Sequence, residues 1–316
     1  VSENLYTLFT TQFSTNLELK LQQMGSKLRG KVREGNHVGK MASPINQIGA
    51  IAVGAPAGRF SPKNRIDPTF TRRWVFPQEK EGDILIDSFD ELETIVDPKS
   101  AYTEELAMAI GRAWDDAIIN AAFGTSQIGT DAGSLSGENF NNAASTAGGY
   151  QVQDTFGASA SAGLTVAKLL EARRVFQHNH VDLDADPITL VIGSQQENDL
   201  LNQVQVVSTE YNDRPVLTDG RVKRFLGFDI VVMERLPTQT ATSGSGATVR
   251  NVLTFSKSGL YLGLWRDMQT RISIRNDLSS EPYDVYTNAM FGATRTQPGK
   301  VLQIQCNDST GADITP

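Results

Sequence analysis

The chain has 316 residues, 39% of them apolar and 21% charged, with a net charge of −7. It reads as globular, long enough for two packed units or one elongated one. No run approaches the roughly 18–20 apolar residues that span a bilayer. The start VSENLYTLFTTQF lacks a basic, cleavable leader, so a cytoplasmic origin is expected. One cysteine, Cys306, excludes an intramolecular disulfide and a cysteine-based zinc site; it reads as a small, half-buried residue ending a VLQIQC strand.

The charge is polarised. Residues 1–73 hold eleven Lys or Arg against four Asp or Glu, and the rest holds eighteen against thirty-two. A basic segment beside an acidic body suits either a nucleic-acid arm or an arm lying across a neighbouring copy. Within it, Leu5, Leu8, Phe9, Phe13, Leu17, Leu21, Met24 and Leu28 are spaced as the stripe of a helix over 4–28. Lys20, Lys27, Arg29, Lys31 and Arg33 crowd its last turns, where cations suit the helix dipole. The polar face is mostly Thr, Gln and Asn, which points to packing on protein rather than on a membrane.

From 35 to 73 glycines and prolines are scattered without a sustained period, so this stretch makes no compact core alone. It ends in the strand-like Phe70-Thr71-Arg72-Arg73-Trp74-Val75-Phe76-Pro77, followed by an expected turn at 79–83. Such an excursion either docks on its own body or finds burial on another chain. Residues 79–97 carry eight acids against Lys80 alone, among them Glu79, Glu81 and Asp83. Their spacing fits no recognised cation loop.

Asp97-Pro98 predicts a helix start, since Asp caps free amides and Pro has no N–H to lose. The helix is expected over 98–123, a rod of about 39 Å. Leu106, Ile110, Ala113, Trp114, Ala117, Ile118 and Ala121 form its apolar face, with Glu105, Arg112, Asp115 and Asp116 opposite. Residues 125–163, with seven glycines and no Lys or Arg, read as a loop insertion or a short hairpin. Thr165 caps the next helix and Leu164 staples onto it. The apolar strand 188–192, a Ser194-x-x-Glu197 capping box and the strand 228–232 then describe an α/β lobe. The loop 206–226 between them is basic near its end, at Arg221, Lys223 and Arg224. Met268 to Asn276 alternates as a half-exposed strand, and 285–295 with 300–306 is expected as a hairpin around Gln297-Pro298-Gly299.

No catalytic set emerges. His178 and His180 face different directions at a helix end; Asp182-x-Asp184-x-Asp186 has Pro187 and Gly193 where a calcium loop needs Gly and Glu. Ser194 lacks the second glycine of a nucleophile elbow, and Gly244-Ser-Gly246 lacks the lysine of a phosphate loop.

Three closing segments carry a resemblance: GRVKRFLGFDIVVMERLP at 220–237, FSKSGLYLGLWRDMQTRISIRND at 255–277 and YDVYTNAMFGATRTQPGKVLQIQ at 283–305. With the basic arm, loop, acidic connector and long helix before them, they make the chain similar over nearly its whole length to tailed-bacteriophage major capsid proteins of the Hong Kong 97 type. The resemblance implies an α+β fold with an N-terminal arm (1–50), an extended loop hairpin (51–84) and a peripheral domain (85–163) with spine helix 98–123 and insertion 125–163. An axial domain (164–265) and return strands with a tail (266–316) complete it. It implies a structural, non-enzymatic protein without a cofactor, which self-assembles as pentamers and hexamers into an icosahedral shell around double-stranded phage DNA. The place is the virion capsid, assembled in the host bacterial cytoplasm. Implied partners are further copies, a portal protein at one vertex, a separate scaffolding protein, a decoration or cement protein, and DNA by weak non-specific contact; no membrane is involved.

On this reading Leu5, Phe9, Phe13 and Leu17 pack the arm, and Phe70, Trp74 and Phe76 bury on neighbours. Arg72 and Arg73 meet acids of 79–97 from another subunit, and Arg221, Lys223 and Arg224 lie near the local symmetry axis. Burying an aromatic gives about 2–3 kcal/mol against about 0–1 for an exposed ion pair, so burial holds the shell and charge sets register. The opening quarter is then expected to be stable only when draped over other copies. The alternative is a nucleic-acid-binding protein using basic residues at 20–33 and 59–73, which the acidic body disfavours.

Overall fold

The computed structural model describes residues 22–55, 58–60, 62–63, 65–86, 99–203, 217–218, 221–241, 243, 246–279 and 281–308. Leu5, Phe9, Phe13 and Leu17, the acids of 87–97 and the Asp97-Pro98 helix start lie outside the described residues.

In chain order, β1 (Arg33–Asn36), β2 (Ala42–Ile48), β3 (Phe70–Val75) and β4 (Gln78–Ile86) precede the long helix α1 (Lys99–Phe123). Then come β5 (Ser126–Gly129), β6 (Ser136–Glu138), β7 (Gln151–Val152), α2 (Val166–His178), β8 (Ile188–Ile192) and α3 (Ser194–Leu201). Short strands β9 (Leu217–Thr218), β10 (Arg221–Val222) and β11 (Arg224–Phe225) lead to β12 (Phe228–Val232) and β13 (Thr238–Thr240). The series closes with β14 (Thr248–Ser256), β15 (Leu260–Ile274), β16 (Tyr283–Arg295) and β17 (Val301–Asn307). Two compact units result. One comprises Val1–Ser26, Glu79–Ala113 and Arg266–Met290, the other Lys27–Gln78, Trp114–Trp265 and Phe291–Pro316; α1, β15 and β16 run through both.

The larger unit is built on a sheet of order β11-β12-β8-β14-β17-β7, with β13 added to β14. The uninterrupted apolar run of β8 suits a strand covered on both faces, and all five of its residues are buried. It pairs parallel with β12 and antiparallel with β14. Helix α2 packs Leu169, Ala172 and Phe176 onto Leu190, Ile192, Val252 and Ile304. Thr165 Oγ1 caps α2 by accepting from the Lys168 N–H at 3.4 Å, as the sequence predicts. At the other end His180 takes φ 57°, and the Val181 N–H reaches back to the Phe176 carbonyl, so this histidine serves as a left-handed helix stop.

The segment 285–295 and 300–306 is no hairpin: β16 joins β15 and β4, whereas β17 lies between β14 and β7. The turn at Pro298–Lys300 sends the chain into the other sheet, where all seven β17 residues are buried. Cys306 is therefore fully buried. The capping box at Ser194 gives way to a cap at Gly193, whose N–H donates to Gln196 Oε1 at 3.1 Å. Ser194 instead donates its N–H to Glu234 Oε1 at 2.5 Å. Residues 22–28 are not helical, and 79–83 is no turn but part of β4, a continuous nine-residue strand.

In the smaller unit the strands β15, β16 and β4 lie in that order. A Cβ at Gly82 would fall 2.7 Å from Leu106, so β4 and the first half of α1 approach closely there. The same stretch of helix grips the chain at 22–25. Arg112 donates to Gln22 Oε1 at 2.7 Å, to the Gln23 carbonyl at 3.3 Å and to Glu105 at 3.0 Å. A Cβ at Gly111 would meet the Gly25 backbone at 2.8 Å.

Candidate functional site

The segment that cannot support itself by sequence becomes a hairpin, β2 paired antiparallel with β3 from Ala42↔Val75 to Ile48↔Phe70. The Gly49 N–H closes it on the Thr69 carbonyl at 2.8 Å. Its strands thus occupy 42–48 and 70–75, closer to the N-terminus than the span 51–84 read from the sequence. Short β5 and β6, from the stretch expected as an insertion, extend the hairpin into a four-stranded sheet of order β2-β3-β5-β6.

Burial changes along this hairpin rather than across it. At the root, Arg73, Trp74 and Val75 are all buried, on both faces of the strand. The Trp74 indole donates to the Gly129 carbonyl at 3.2 Å, and Arg73 pairs with Glu138. Gln47 donates to the Thr296 carbonyl at 2.9 Å, and a Cβ at Gly292 would fall 2.1 Å from the Phe76 oxygen. Beyond the root, Phe70 is 56% exposed, Ile48 62%, Val53 92% and Phe60 97%. Arg59, Lys63, Arg65 and Arg72 are exposed beside them, with Asp67 the one acid of this end. The far end is thus apolar and basic, carried on a buried, hydrogen-bonded root.

The residues proposed for inter-subunit contact therefore divide. Phe70, Arg72 and Phe76 are exposed, while Arg73 and Trp74 are taken up within their own chain by β5 and β6. Strand partners supplied by 126–138 are the physical reason: they cover the root of β3, which sequence alternation cannot anticipate. Residues 33–37 likewise find support in their own chain. β1 pairs parallel with β15 from Arg33↔Tyr261 to Asn36↔Leu264, and His37 hydrogen-bonds Tyr261 Oη at 2.7 Å.

Glu79, Glu81 and Asp83 stand exposed on β4, with Tyr286 donating to Glu81 at 3.0 Å. Hydrogen bonding to the Asp284 carboxyl, with burial second, raises the Asp83 pKa above the ordinary aspartate value. Arg221 lies on β10, Lys223 is exposed, and exposed Arg224 is 3.7 Å from Asp229. Asp182 Oδ1 accepts from the Asp184 and Ala185 N–H groups and Asp186 accepts from Ser258, which assigns this acidic run to turns. Among the described residues no group of three or more His, Cys, Asp or Glu could hold a metal ion, and no helix is long and apolar enough to cross a membrane.

Three buried polar residues escaped the sequence reading. Arg295 donates to the carbonyls of Ala122 (2.8 Å), Gly124 (2.9 Å) and Glu138 (3.0 Å), tying the end of α1 to β6. Lys168 donates to the carbonyls of Ala162, Gly163 and Gln305 at 2.7–3.0 Å. Asp115, expected on the solvent side of its helix, is fully buried and accepts from the N–H groups of Lys27 (3.0 Å) and Leu28 (3.1 Å).

A family model described as phage capsid protein matches residues 5–308. No curated protein matches the chain. Among solved structures, the capsid of cyanophage P-SCSP1u superposes with a TM-score of 0.73 at 14% identity, covering 98% of this chain and 97% of that one. A Mycobacterium phage Che8 structure gives 0.65 at 18% identity, covering 94% and 97%, and the capsid of a native GTA particle 0.68 at 12%, covering 97% of each.

Proposed function

Because the chain belongs to the phage capsid protein family, with the α+β Hong Kong 97-type fold and a structural role in the virion capsid, we propose that it closes an icosahedral shell of pentamers and hexamers around double-stranded DNA. The supporting observation is the hairpin: every described residue from 69 to 72, together with Ile48, Ile51, Val53 and Phe60, is exposed beyond a buried root. Apolar side chains so displayed call for a partner surface. Neighbouring copies supply it, with Phe60 and Phe70 buried across the contact and Arg72 set against acids such as Glu79 and Glu81. The axial domain, 164–265, gathers about the local symmetry axes and presents Arg221, Lys223 and Arg224 toward them. Assembly takes place in the host cytoplasm with a separate scaffolding protein; a portal occupies one vertex, a cement protein binds the finished shell, and DNA is touched only weakly.

Each copy engages several others at once, so modest contacts multiply through effective concentration. Negative-stain electron microscopy of the purified chain tests this. Closed particles with fivefold and sixfold clusters are expected, and a chain that stays monomeric at high concentration with scaffolding protein present would refute it. The nucleic-acid reading is weaker, because the rest of the chain is acidic and three cations of its first segment are engaged at home: Lys27 on the Val232 carbonyl at 2.9 Å, Arg29 with Glu34 at 3.3 Å and Lys31 with Asp229 at 3.9 Å.

A further inference from the structure

One side of β15 is open over the second half of the strand. The Arg275 N–H donates to the Pro282 carbonyl at 2.9 Å, and Thr270 Oγ1 lies 3.0 Å from Thr287 Oγ1, which sets the antiparallel register of β15 on β16. Successive residues of such a strand turn their main-chain groups alternately toward the neighbour and away from it. Those of Gln269, Arg271, Ser273 and Arg275 meet β16, so those of Met268, Thr270, Ile272 and Ile274 point to the other side. There β1 accompanies β15 only as far as Leu264, whose carbonyl takes the His37 N–H at 2.8 Å. Among the described residues no strand follows on from it. The Met268 N–H is met instead by the side chain of its own neighbour, Asp267 Oδ1, at 2.9 Å. Residues 266–272 are exposed on both faces, as is Ile274, and the run contains none of the prolines and lysines that blunt a sheet edge.

We propose that 266–274 is a self-association edge, to which the same strand of a second copy adds antiparallel about a two-fold axis through Thr270. The sequence is self-complementary in that register. Met268 falls opposite the partner's Ile272, and Gln269 opposite the partner's Arg271. Asp267 gives up the Met268 amide to the new ladder and lies diagonally across from the partner's Arg271. Neighbouring registers fail on the same residues. Centring on Arg271 sets that cation against itself, and centring on Gln269 drives the partner's Ile274 against Leu264, where Asn36 of β1 already sits. The open stretch is bounded by β1 at one end and by the 275–282 turn at the other, so an identical antiparallel strand fits both limits at once. Two copies suffice, and the pairing does not depend on a closed shell.

Oxidative cross-linking of the purified full chain tests it, read on a denaturing, non-reducing gel that dissolves any shell and keeps a covalent pair. Thr270→Cys should give a dimer band, because facing residues of such a ladder have Cα atoms about 5.5 Å apart, within disulfide reach. The native Cys306 is buried and does not compete. Gln269→Cys alone should stay monomeric, since its mate is displaced by two residues, whereas Gln269→Cys combined with Arg271→Cys should dimerise. That double variant keeps the test valid if Thr270→Cys does not fold. Adding Ile272→Lys to Thr270→Cys alters two apolar pairs at once and should lower the dimer fraction about tenfold, with circular dichroism unchanged because the side chain is exposed. A monomeric Thr270→Cys would assign the edge to a different partner and overturn the proposal. So would a dimer indifferent to Ile272→Lys, or dimerisation of Gln269→Cys alone. A chain that cross-links as expected but never forms particles would instead refute the shell reading and leave this pairing standing.

Discussion

Arg295 donates to the main-chain carbonyl of Gly124 at 2.9 Å, joining the residue just past α1 to the last residue of β16. The guanidinium is almost wholly buried, and burial lowers its pKa, yet its fork serves three carbonyls at once. Arg295→Met should therefore destabilise the soluble chain by roughly 3 kcal/mol, since each abandoned carbonyl loses a charge-assisted bond. Arg295→Lys should recover little, because an ammonium lacks the planar fork. Urea unfolding followed by circular dichroism measures both.

Trp74 and Phe70 sit four residues apart on one strand and should behave oppositely. Trp74→Ala removes a buried indole and should cost about 3–5 kcal/mol of stability, so its assembly defect would follow from misfolding. Phe70→Ser and Phe60→Ser touch exposed side chains and should leave stability within about 0.5 kcal/mol. Their particle yield should nonetheless fall sharply, as counted by electron microscopy against sedimentation of the free chain. Wild-type yield from the double variant would contradict the interface assigned to the hairpin.

Asp115→Ala should release the amides of Lys27 and Leu28 without unfolding the core. Hydrogen exchange at these two positions would accelerate, and the loss should be about 1–3 kcal/mol. Unchanged protection at 27–28 would show that something else holds this stretch.

The Asp83 pKa is raised by the neighbouring Asp284 carboxyl, so the folded state holds a proton that the unfolded chain gives up. The stabilisation is complete below the ordinary aspartate pKa and disappears as pH rises through the raised value. In Asp83→Asn that pH dependence should shrink. Comparing unfolding midpoints at pH 4 and pH 7 for both proteins decides it; an identical difference in the two would remove Asp83 from the account.

Burial pushes the Cys306 thiol up to about 12. It should resist thiol reagents at pH 8 in native protein and react at once in denaturant. Its rate of modification then reports global opening.

Local pattern made much of this fold legible. The strands β8 and β12 stand where the sequence predicts them, at 188–192 and 228–232, α1 ends at Phe123, and the Thr165 cap forms. What stayed hidden depends on distant partners. Lys168 looks like one polar residue on an apolar helix, yet its third acceptor, Gln305, is 137 residues away. Arg295 is 173 residues from Ala122, and nothing near either one announces the other. The burial of Trp74 follows from strands in a glycine-rich stretch that reads as loop. In the hairpin, composition foretold an excursion lacking a core, but only the register of β2 on β3 separates the root that is filled from the end that is bare.

The position of β17 bears on synthesis. Seven residues at 301–307 fill the slot between β14 and β7, so a nascent chain that has emerged only to 300 has a central sheet with a missing rung. Ribosomes add roughly 5–20 residues per second, so about 3–10 s separate the end of β14 from the end of β17, and the half-built lobe stays exposed for that time. Prematurely terminated products would lack it permanently and leave the facing edges of β14 and β7 unpaired.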